Sequence, residues 1–290
     1  MKSNASRKGH NGMSTMTTHR TEPTTTQPEA RADPPTRSPL RSVRHSLALA
    51  RRSLIKTIRT PEQLLDVTLQ PVMFVVIFVY LLGGAVSGSQ QAYLQFLLPA
   101  IMVQTVLFAS VATGVSLNTD IKKGVFDRFR SLPIARSAPL IGSVLGDMIR
   151  FVVSIVVLVG FGYAIGFRIG TDPLSTVAAA LLTMLFAFAV TWIFVLVGML
   201  MREPGAVQGT AFLVLFPLTF GTNMMVPTDT LPGWLQAWVK INPVADVMEA
   251  ARGLMLGGPV AAPVVQTLLW SAGIVAVFAP LAVYAYRRRA

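Results

Sequence analysis

Six long apolar runs follow one another along the chain, and the short stretches between them collect most of the polar and charged residues. A membrane core about 30 Å thick takes roughly 20 apolar residues in an α-helix, and each run reaches that length. The pattern therefore predicts an all-α integral membrane protein whose transmembrane domain covers residues 63–290. The predicted spans are about 67–86, 93–117, 140–167, 174–200, 206–226 and 262–286.

Two segments of different character precede the first span. Residues 1–40 are rich in Thr, Pro and Arg and nearly free of large apolar side chains, which predicts a disordered tail. Residues 41–62 alternate apolar and basic positions at helical spacing, which predicts an amphipathic helix lying on the membrane surface against anionic lipids. A solvated helix or a nucleic-acid-binding arm is the alternative. The membrane setting favours lipids, and we expect no nucleic-acid partner.

Composition agrees with a membrane protein and narrows its chemistry. The chain is 52% hydrophobic and 13% charged, with a mean hydropathy of +0.57, which is too apolar for a soluble domain of 290 residues. It has no cysteine, which excludes disulfides and thiolate metal sites, and its three histidines lie at the N-terminal side of the first span. We therefore expect no metal site.

Basic residues orient the spans. An even number of spans places both termini on one side of the membrane. Lys and Arg concentrate before the first span, between the second and third spans, and after the sixth span. This leaves Arg168, Lys240 and Arg252 on the opposite side. Cytoplasmic loops carry the excess of basic residues, so both termini are predicted to be cytoplasmic, in a plasma (inner) membrane.

The predicted spans carry neutral polar groups rather than acids. We expect the acids nearest the spans, Asp147 among them, to lie at span ends or in loops, which disfavours a proton-driven carrier. Interhelical hydrogen bonding is the favoured explanation for the neutral polar residues, and contact with a transported molecule is the alternative. The candidate substrate-path residues are Gln104, Thr105, Thr191 and Asn223.

A short amphipathic helix is predicted in the loop between the second and third spans. Helical projection from Asp120 onward places Ile121, Val125, Phe129 and Leu132 on one face, with Phe126 at its edge. The opposite face collects Lys123, Asp127, Arg128 and Arg130, and Pro133 ends the helix. Positive-inside anchoring needs only scattered basic residues. Two aromatics with an interleaved acid are better suited to docking in a groove of another protein.

The chain carries no recognisable catalytic motif. The patterns GxxxxGK[ST], HExxH and GxSxG do not occur in it. The chain is therefore not expected to be an enzyme. If transport needs energy, another subunit must supply it.

Four segments carry a family resemblance. They are DIKKGVFDRFRSLPIARSAPLIGSVLGD, RSLIKTIRTPEQLLDVTLQPVMFVVIFVYLLGGAV, REPGAVQGTAFLVLFPLTFGTNMMVP and LPGWLQAWVKINPVADVMEAARGLMLGGP. Together they resemble the permeases of ATP-binding-cassette type-2 (ABC-2) transporters, particularly the daunorubicin-resistance type of drug-export subunit. The N-terminal tail is longer than this family leads us to expect.

The resemblance implies a fold and two functional segments. It implies six transmembrane helices preceded by an interfacial helix, a cytoplasmic coupling helix, and a short external helical segment before the last span. The external pattern falls on Asn242, Pro243 and Gly253. With the two aromatics of the projected helix, the coupling segment comprises Lys123, Gly124, Phe126, Asp127, Arg128, Phe129, Arg130, Leu132 and Pro133.

The resemblance also implies partners and an activity. An ABC ATP-binding subunit would hold ATP and Mg²⁺, and this chain would bind neither. Two permease copies, or one copy with a similar partner, would form the membrane part of an exporter for an amphipathic drug, antibiotic or lipid-like molecule. The alternatives are an ABC-2 permease for a glycan or lipid-linked polymer and a membrane scaffold that does not transport.

Overall fold

The computed structural model describes residues 61–124 and 138–289, and these residues form eight α-helices without a β-strand. A short 3₁₀ helix, Thr228–Thr230, lies between the fifth and sixth helices. The predicted tail and most of the predicted surface helix lie outside the described residues. The helices are α1 (Pro61–Ser87), α2 (Gln90–Lys122), α3 (Ala138–Ala164), α4 (Pro173–Leu200), α5 (Pro204–Phe220), α6 (Gly233–Ile241), α7 (Pro243–Leu256) and α8 (Ala261–Arg289).

Five of these helices are long and apolar enough to cross a membrane, which confirms the predicted all-helical membrane fold. They contain the candidate spans Leu69–Ser87, Gln90–Lys122, Val144–Ala164, Pro173–Leu200 and Ala261–Tyr286. The helix α5 is also apolar, but at 17 residues it is about 26 Å long and slightly shorter than a typical span. The described part of the chain thus has five candidate spans and one shorter apolar helix.

The helix α5 ends six residues before the predicted end of the fifth span. In a continuing helix the carbonyl of Leu218 would accept a hydrogen bond from the backbone of Thr222. It accepts instead from the Asn242 side-chain amide at 2.9 Å, and residues 221–226 leave the helix. The predicted span 206–226 is therefore a 17-residue helix followed by an irregular, half-buried segment.

The helix α3 also ends earlier than predicted, at Ala164 rather than at residue 167. Gly166 adopts a left-handed conformation with φ of 114°, which L-amino acids with a side chain rarely adopt. The backbone N–H of Phe167 then donates to the Gly162 carbonyl at 2.7 Å, which satisfies a carbonyl of the last turn. The glycine closes the helix while Phe167 stays buried.

The helix α2 forms the centre of the molecule. It packs against α1, α3, α4, α5 and α7, and 83% of its most apolar window is buried. The helix α8, by contrast, packs on α4 and α7 and has only 11% of its window buried. Exposed Leu, Val, Ile and aromatic side chains cover the outer faces of the peripheral helices, as expected for a surface in contact with lipid.

The helices α2 and α4 touch through their backbones. A Cβ atom on Gly198 would lie 2.5 Å from the Gly114 carbonyl oxygen, and one on Gly114 would collide with the Phe194 carbonyl oxygen. One turn further along α2, the Asn118 amide donates to the carbonyls of Gly198 and Met201, at 2.9 and 2.8 Å. Small residues allow this close approach, and the amide fixes the register of the two helices.

Candidate functional site

A cavity of about 370 Å³ lies between α1, α2 and α5. Both α1 and α5 pack on α2, which supplies most of the cavity wall. Phe108 and Phe212 meet edge to face in this wall, with ring centroids 5.4 Å apart. The lining residues are Gln70, Pro71, Phe74, Gln104, Thr105, Phe108, Ala109, Val111, Ala112, Val115, Gln208 and Phe212.

The polar groups of the cavity are amides and a hydroxyl, and no residue along its described wall is charged. Gln70, Gln104 and Gln208 bring one amide each from α1, α2 and α5. Gln104 is only 5% exposed, and its amide has no hydrogen-bond partner among the described residues. Because Gln104 borders the cavity, this unpaired amide is available to a molecule that fills it.

The structure brings together only two of the four candidate substrate-path residues. Gln104 and Thr105 line the cavity, although the Thr105 hydroxyl already donates to the Ile101 carbonyl of its own helix at 2.7 Å. Thr191 is fully buried in α4 and donates to the Ala187 carbonyl at 2.7 Å, away from the cavity. Asn223 lies in the segment after α5 and donates to the Glu249 carboxylate at 2.8 Å.

A second polar cluster surrounds the irregular segment 221–226. Arg252 of α7 donates to the carbonyls of Asn223 and Met224, at 2.7 and 3.1 Å, and to the Phe96 carbonyl of α2 at 3.0 Å. Its guanidinium also lies 3.8 Å from the centre of the Phe96 ring. The Glu249 carboxylate bonded to Asn223 balances this charge. Arg252 therefore holds the segment against α2 and α7.

Two ionisable groups of α7 have shifted pKa values. Burial, and then the neighbouring Glu249 carboxylate, raise the pKa of Asp246 to about 6, against an opposing effect of the Trp270 side chain. Burial lowers the pKa of Arg252 to about 10, which leaves the guanidinium charged at neutral pH. Beside the Glu249 carboxylate, α7 thus carries a guanidinium that stays charged at neutral pH and, at Asp246, a carboxyl whose pKa lies in the mildly acidic range.

Three residues predicted for the external segment belong to α7, two at its start and one near its end. Asn242 caps the helix by accepting from the Val244 backbone at 3.0 Å, and Pro243 is the first residue of the helix. Gly253 permits close contact with Val260, since a Cβ atom there would lie 2.7 Å from the Val260 side chain. Sequence reasoning missed the ionisable side chains beside them, although Asp246, Glu249 and Arg252 recur at three-residue spacing in an otherwise apolar helix.

A third polar cluster joins α2 and α3 near the start of a candidate span. Asp147 is three residues from the start of the span Val144–Ala164, so it lies at a span end as expected, and it accepts a hydrogen bond from the Thr113 hydroxyl of α2. Arg150, which is 8% exposed, pairs with Asp147 at 3.2 Å and donates to the Ala109 carbonyl of α2 at 2.8 Å. The carboxylate is tolerated there because its charge and hydrogen bonds are matched.

The structure reaches only the beginning of the predicted coupling segment. Lys123 caps the C-terminus of α2 and donates from its backbone to the Thr119 carbonyl at 3.0 Å, and Gly124 follows in a left-handed conformation with φ of 65°. In the turn before them, Lys122 pairs with Glu203, the residue that precedes α5, at 2.5 Å. The coupling residues outside the described residues are Phe126, Asp127, Arg128, Phe129, Arg130, Leu132 and Pro133.

Within residues 61–124 and 138–289, no three His, Cys, Asp or Glu side chains lie together as a metal site would require.

Comparison with known proteins finds one transporter family and several permeases of that kind. Residues 44–256 of the chain match the ABC-2 type transporter family. The chain is 47% identical over 229 residues to a daunorubicin resistance ABC transporter permease protein of Streptomyces coeruleorubidus, covering 79% of this chain and 81% of that protein. It is 28% identical over 206 residues to a doxorubicin resistance ABC transporter permease protein of Mycobacterium tuberculosis, covering 68% of this chain and 70% of that protein.

Proposed function

The chain belongs to the ABC-2 type transporter family, and on that premise we propose that it is the membrane subunit of an exporter for amphipathic drugs or antibiotics, driven by ATP hydrolysis in a separate subunit. It is a permease of the kind found in drug-resistance exporters, with several membrane-spanning helices. The relatives named for daunorubicin and doxorubicin resistance support the substrate class. The absence of a GxxxxGK[ST] sequence supports the division of labour between two subunits.

The cavity between α1, α2 and α5 is the proposed substrate site. Its volume of about 370 Å³ falls within the range of small-molecule pockets, and aromatic side chains with a few amides suit a flat apolar molecule that carries hydroxyl or carbonyl groups. The unpaired Gln104 amide is the observation that carries this assignment. A substrate that hydrogen-bonds Gln104 replaces the water that this group would otherwise need.

The coupling segment is proposed to dock on the ATP-binding subunit. It follows α2 directly, so a push on it acts on the helix that supplies most of the cavity wall. Its aromatic face, with Phe126 and Phe129, is proposed to enter a groove of that subunit, while Arg128 and Arg130 meet acidic side chains. ATP and Mg²⁺ would be held by that subunit alone. A second permease copy or a similar permease completes the membrane part.

The proposed orientation places both termini in the cytoplasm and the protein in the plasma membrane. The concentration of Lys and Arg before the first span, after the second and after the sixth supports this arrangement. In it, the coupling segment faces the cytoplasm and the α6–α7 segment faces outward.

The test uses inside-out membrane vesicles that contain the permease and its ABC ATP-binding subunit, with daunorubicin as the fluorescent probe. We expect ATP-dependent uptake, and we expect Gln104→Leu to weaken daunorubicin binding because it removes the one buried amide along the described wall of the cavity. Thr191→Val is the matched control, since its hydroxyl bonds within α4 away from the cavity. Equal binding by the two variants would remove the cavity assignment.

The docking proposal has its own test. The double variant Arg128→Glu, Arg130→Glu should insert normally into the membrane but lose the ATP-binding subunit on co-purification, because two attractive charges become repulsive. If the double variant still co-purifies with that subunit and exports at the normal rate, the coupling segment lies elsewhere.

A further inference from the structure

The cluster of Asp147, Arg150 and Thr113 has no role in the substrate site or in the proposed docking. Each of the two charged side chains of α3 bonds a different turn of α2: Asp147 accepts from the Thr113 hydroxyl, and Arg150 donates to the Ala109 carbonyl at 2.8 Å. The charges also pair with each other at 3.2 Å. The result is two hydrogen bonds across the helix interface, one turn apart, joined by an ion pair.

This arrangement is more than an ion pair within one helix. Asp147 and Arg150 are three residues apart on α3 and could pair without any neighbour. The cross-helix bonds to Thr113 and Ala109 are additional, and they fix how α3 can slide along α2. The side chain of Arg150 is enclosed to the point that its Nε atom is buried without a partner. A charged group enclosed in a membrane helix is costly, and for that reason such groups tend to mark functional sites.

The cluster lies between the proposed docking segment and the cavity. Thr113 is nine residues from Lys122 at the end of α2, and Asp147 is nine residues from Ala138 at the start of α3, about 14 Å along each helix. On α2, Ala109 and the neighbouring residues Ala112 and Val115 line the cavity. The cluster therefore joins both helices that flank the docking segment at the level of the cavity wall.

We propose that Asp147, Arg150 and Thr113 are positioning residues that make α2 and α3 move together, so that a displacement of the segment between the two helices reaches the cavity wall. The proposal rests on the proposed function, because it assigns the cluster to the same export cycle. It predicts that breaking the cross-helix bonds uncouples substrate binding from transport.

The experiment measures daunorubicin binding without ATP and ATP-dependent daunorubicin uptake in the same vesicles. For Thr113→Val and Asp147→Leu, each of which removes the hydrogen bond between residues 113 and 147, we expect binding within about twofold of the wild type and uptake reduced about tenfold, the size of a typical coupling between sites. Thr113→Ser keeps the hydroxyl and should restore uptake. Ser154→Ala is the matched control, since its hydroxyl bonds only the Arg150 carbonyl within α3.

A variant that exchanges the charges of residues 147 and 150 tests whether uptake needs the cross-helix hydrogen bonds or only an ion pair on α3. The double variant Asp147→Arg, Arg150→Asp keeps an ion pair on α3. It places a carboxylate against the Ala109 carbonyl, where neither group can donate, so we expect uptake to stay low. Recovery of uptake in this variant, or normal uptake in Thr113→Val, would overturn the proposal.

Two further outcomes are informative. If the variants lose membrane insertion, daunorubicin binding and uptake together, the cluster is required for folding rather than for transmission, which also overturns the proposal. If the wild-type vesicles take up no daunorubicin, the proposed function fails and the proposal fails with it. Wild-type uptake combined with an unimpaired Thr113→Val overturns the proposal alone.

Discussion

Replacing Arg252 by Met should destabilise the permease strongly. Methionine has an apolar side chain of similar length, but it lacks the guanidinium. The guanidinium bonds three backbone carbonyls, lies over the Phe96 ring and is attracted to the Glu249 carboxylate. A buried acceptor left without its donor costs about 1–3 kcal/mol, and only some of these carbonyls can be reached by water afterwards. We therefore expect a loss of about 3 kcal/mol in the free energy of unfolding.

The assay is thermal unfolding of the purified permease in detergent. At about 2–4 °C per kcal/mol for a chain of this size, the melting temperature should fall by about 10 °C. Arg168→Met provides a matched control, because Arg168 also donates to two carbonyls and lies over an aromatic ring, but is exposed to solvent. Its loss should lower the melting temperature by no more than about 2 °C, since water replaces the lost contacts.

The two arginine variants together show whether the enclosure of a guanidinium or the kind of contact it makes sets its contribution to stability. A fall of similar size in both variants would mean that contact type, not enclosure, sets the contribution. A fall below about 3 °C in Arg252→Met, or about 1 kcal/mol, would mean that segment 221–226 does not depend on the guanidinium. Either result refutes the role given to Arg252.

Two other stability predictions use the same assay. Gly198→Ala should lower the free energy of unfolding by about 1–3 kcal/mol, because its Cβ atom would overlap the Gly114 carbonyl oxygen. Gly209→Ala is the control: nothing lies near its Cβ position, so it should be neutral or stabilise the protein by up to about 1 kcal/mol. Equal effects of the two variants would refute the close α2–α4 contact. The pKa of Asp246 is raised from 3.8 to about 6, so its contribution to stability is complete below pH 3.8 and is lost as the pH rises through 6. Between pH 5 and 7.5 about one pKa unit of the shift is lost, so Asp246→Asn should flatten the fall in melting temperature by the equivalent of at most about 1.4 kcal/mol. An unchanged pH profile would contradict the shift.

The apolar pattern predicted the membrane helices well because a bilayer imposes their length and hydrophobicity. It did not predict the early end of the fifth span at Phe220. That end depends on hydrogen bonds from Asn242 and Arg252, which are distant in sequence from the carbonyls they bind. Hydropathy registers the apolar residues of segment 221–226 but carries no information about these partners.

The cavity was predictable only in part. The sequence indicated Gln104 and Thr105 as polar groups at depth, and both line the cavity. It indicated Thr191 equally, but a threonine in a helix can satisfy itself on the carbonyl four residues earlier, and Thr191 does so. Gln70 was not selected, because its place in the cavity depends on how α1 packs on α2.

The cluster on α3 was missed because Asp147 and Arg150 lie near the start of a span, where a charge does not need a partner on another helix. Their shared contacts with Thr113 and Ala109 become visible only when α2 and α3 lie side by side. A carboxylate and a guanidinium three residues apart in a predicted span were the available signal.

The backbone contact between Gly114 and Gly198 divides α2 into two arms. Gly114 is eight residues from Lys122 and ten residues from Gln104, so the two arms are about 12 and 15 Å long. Any rocking of α2 about this point therefore moves Lys122 and Gln104 in opposite directions by similar distances. A displacement of the Lys122 end would then move the Gln104 amide the opposite way and change the shape of the cavity without any change in the length of the helix.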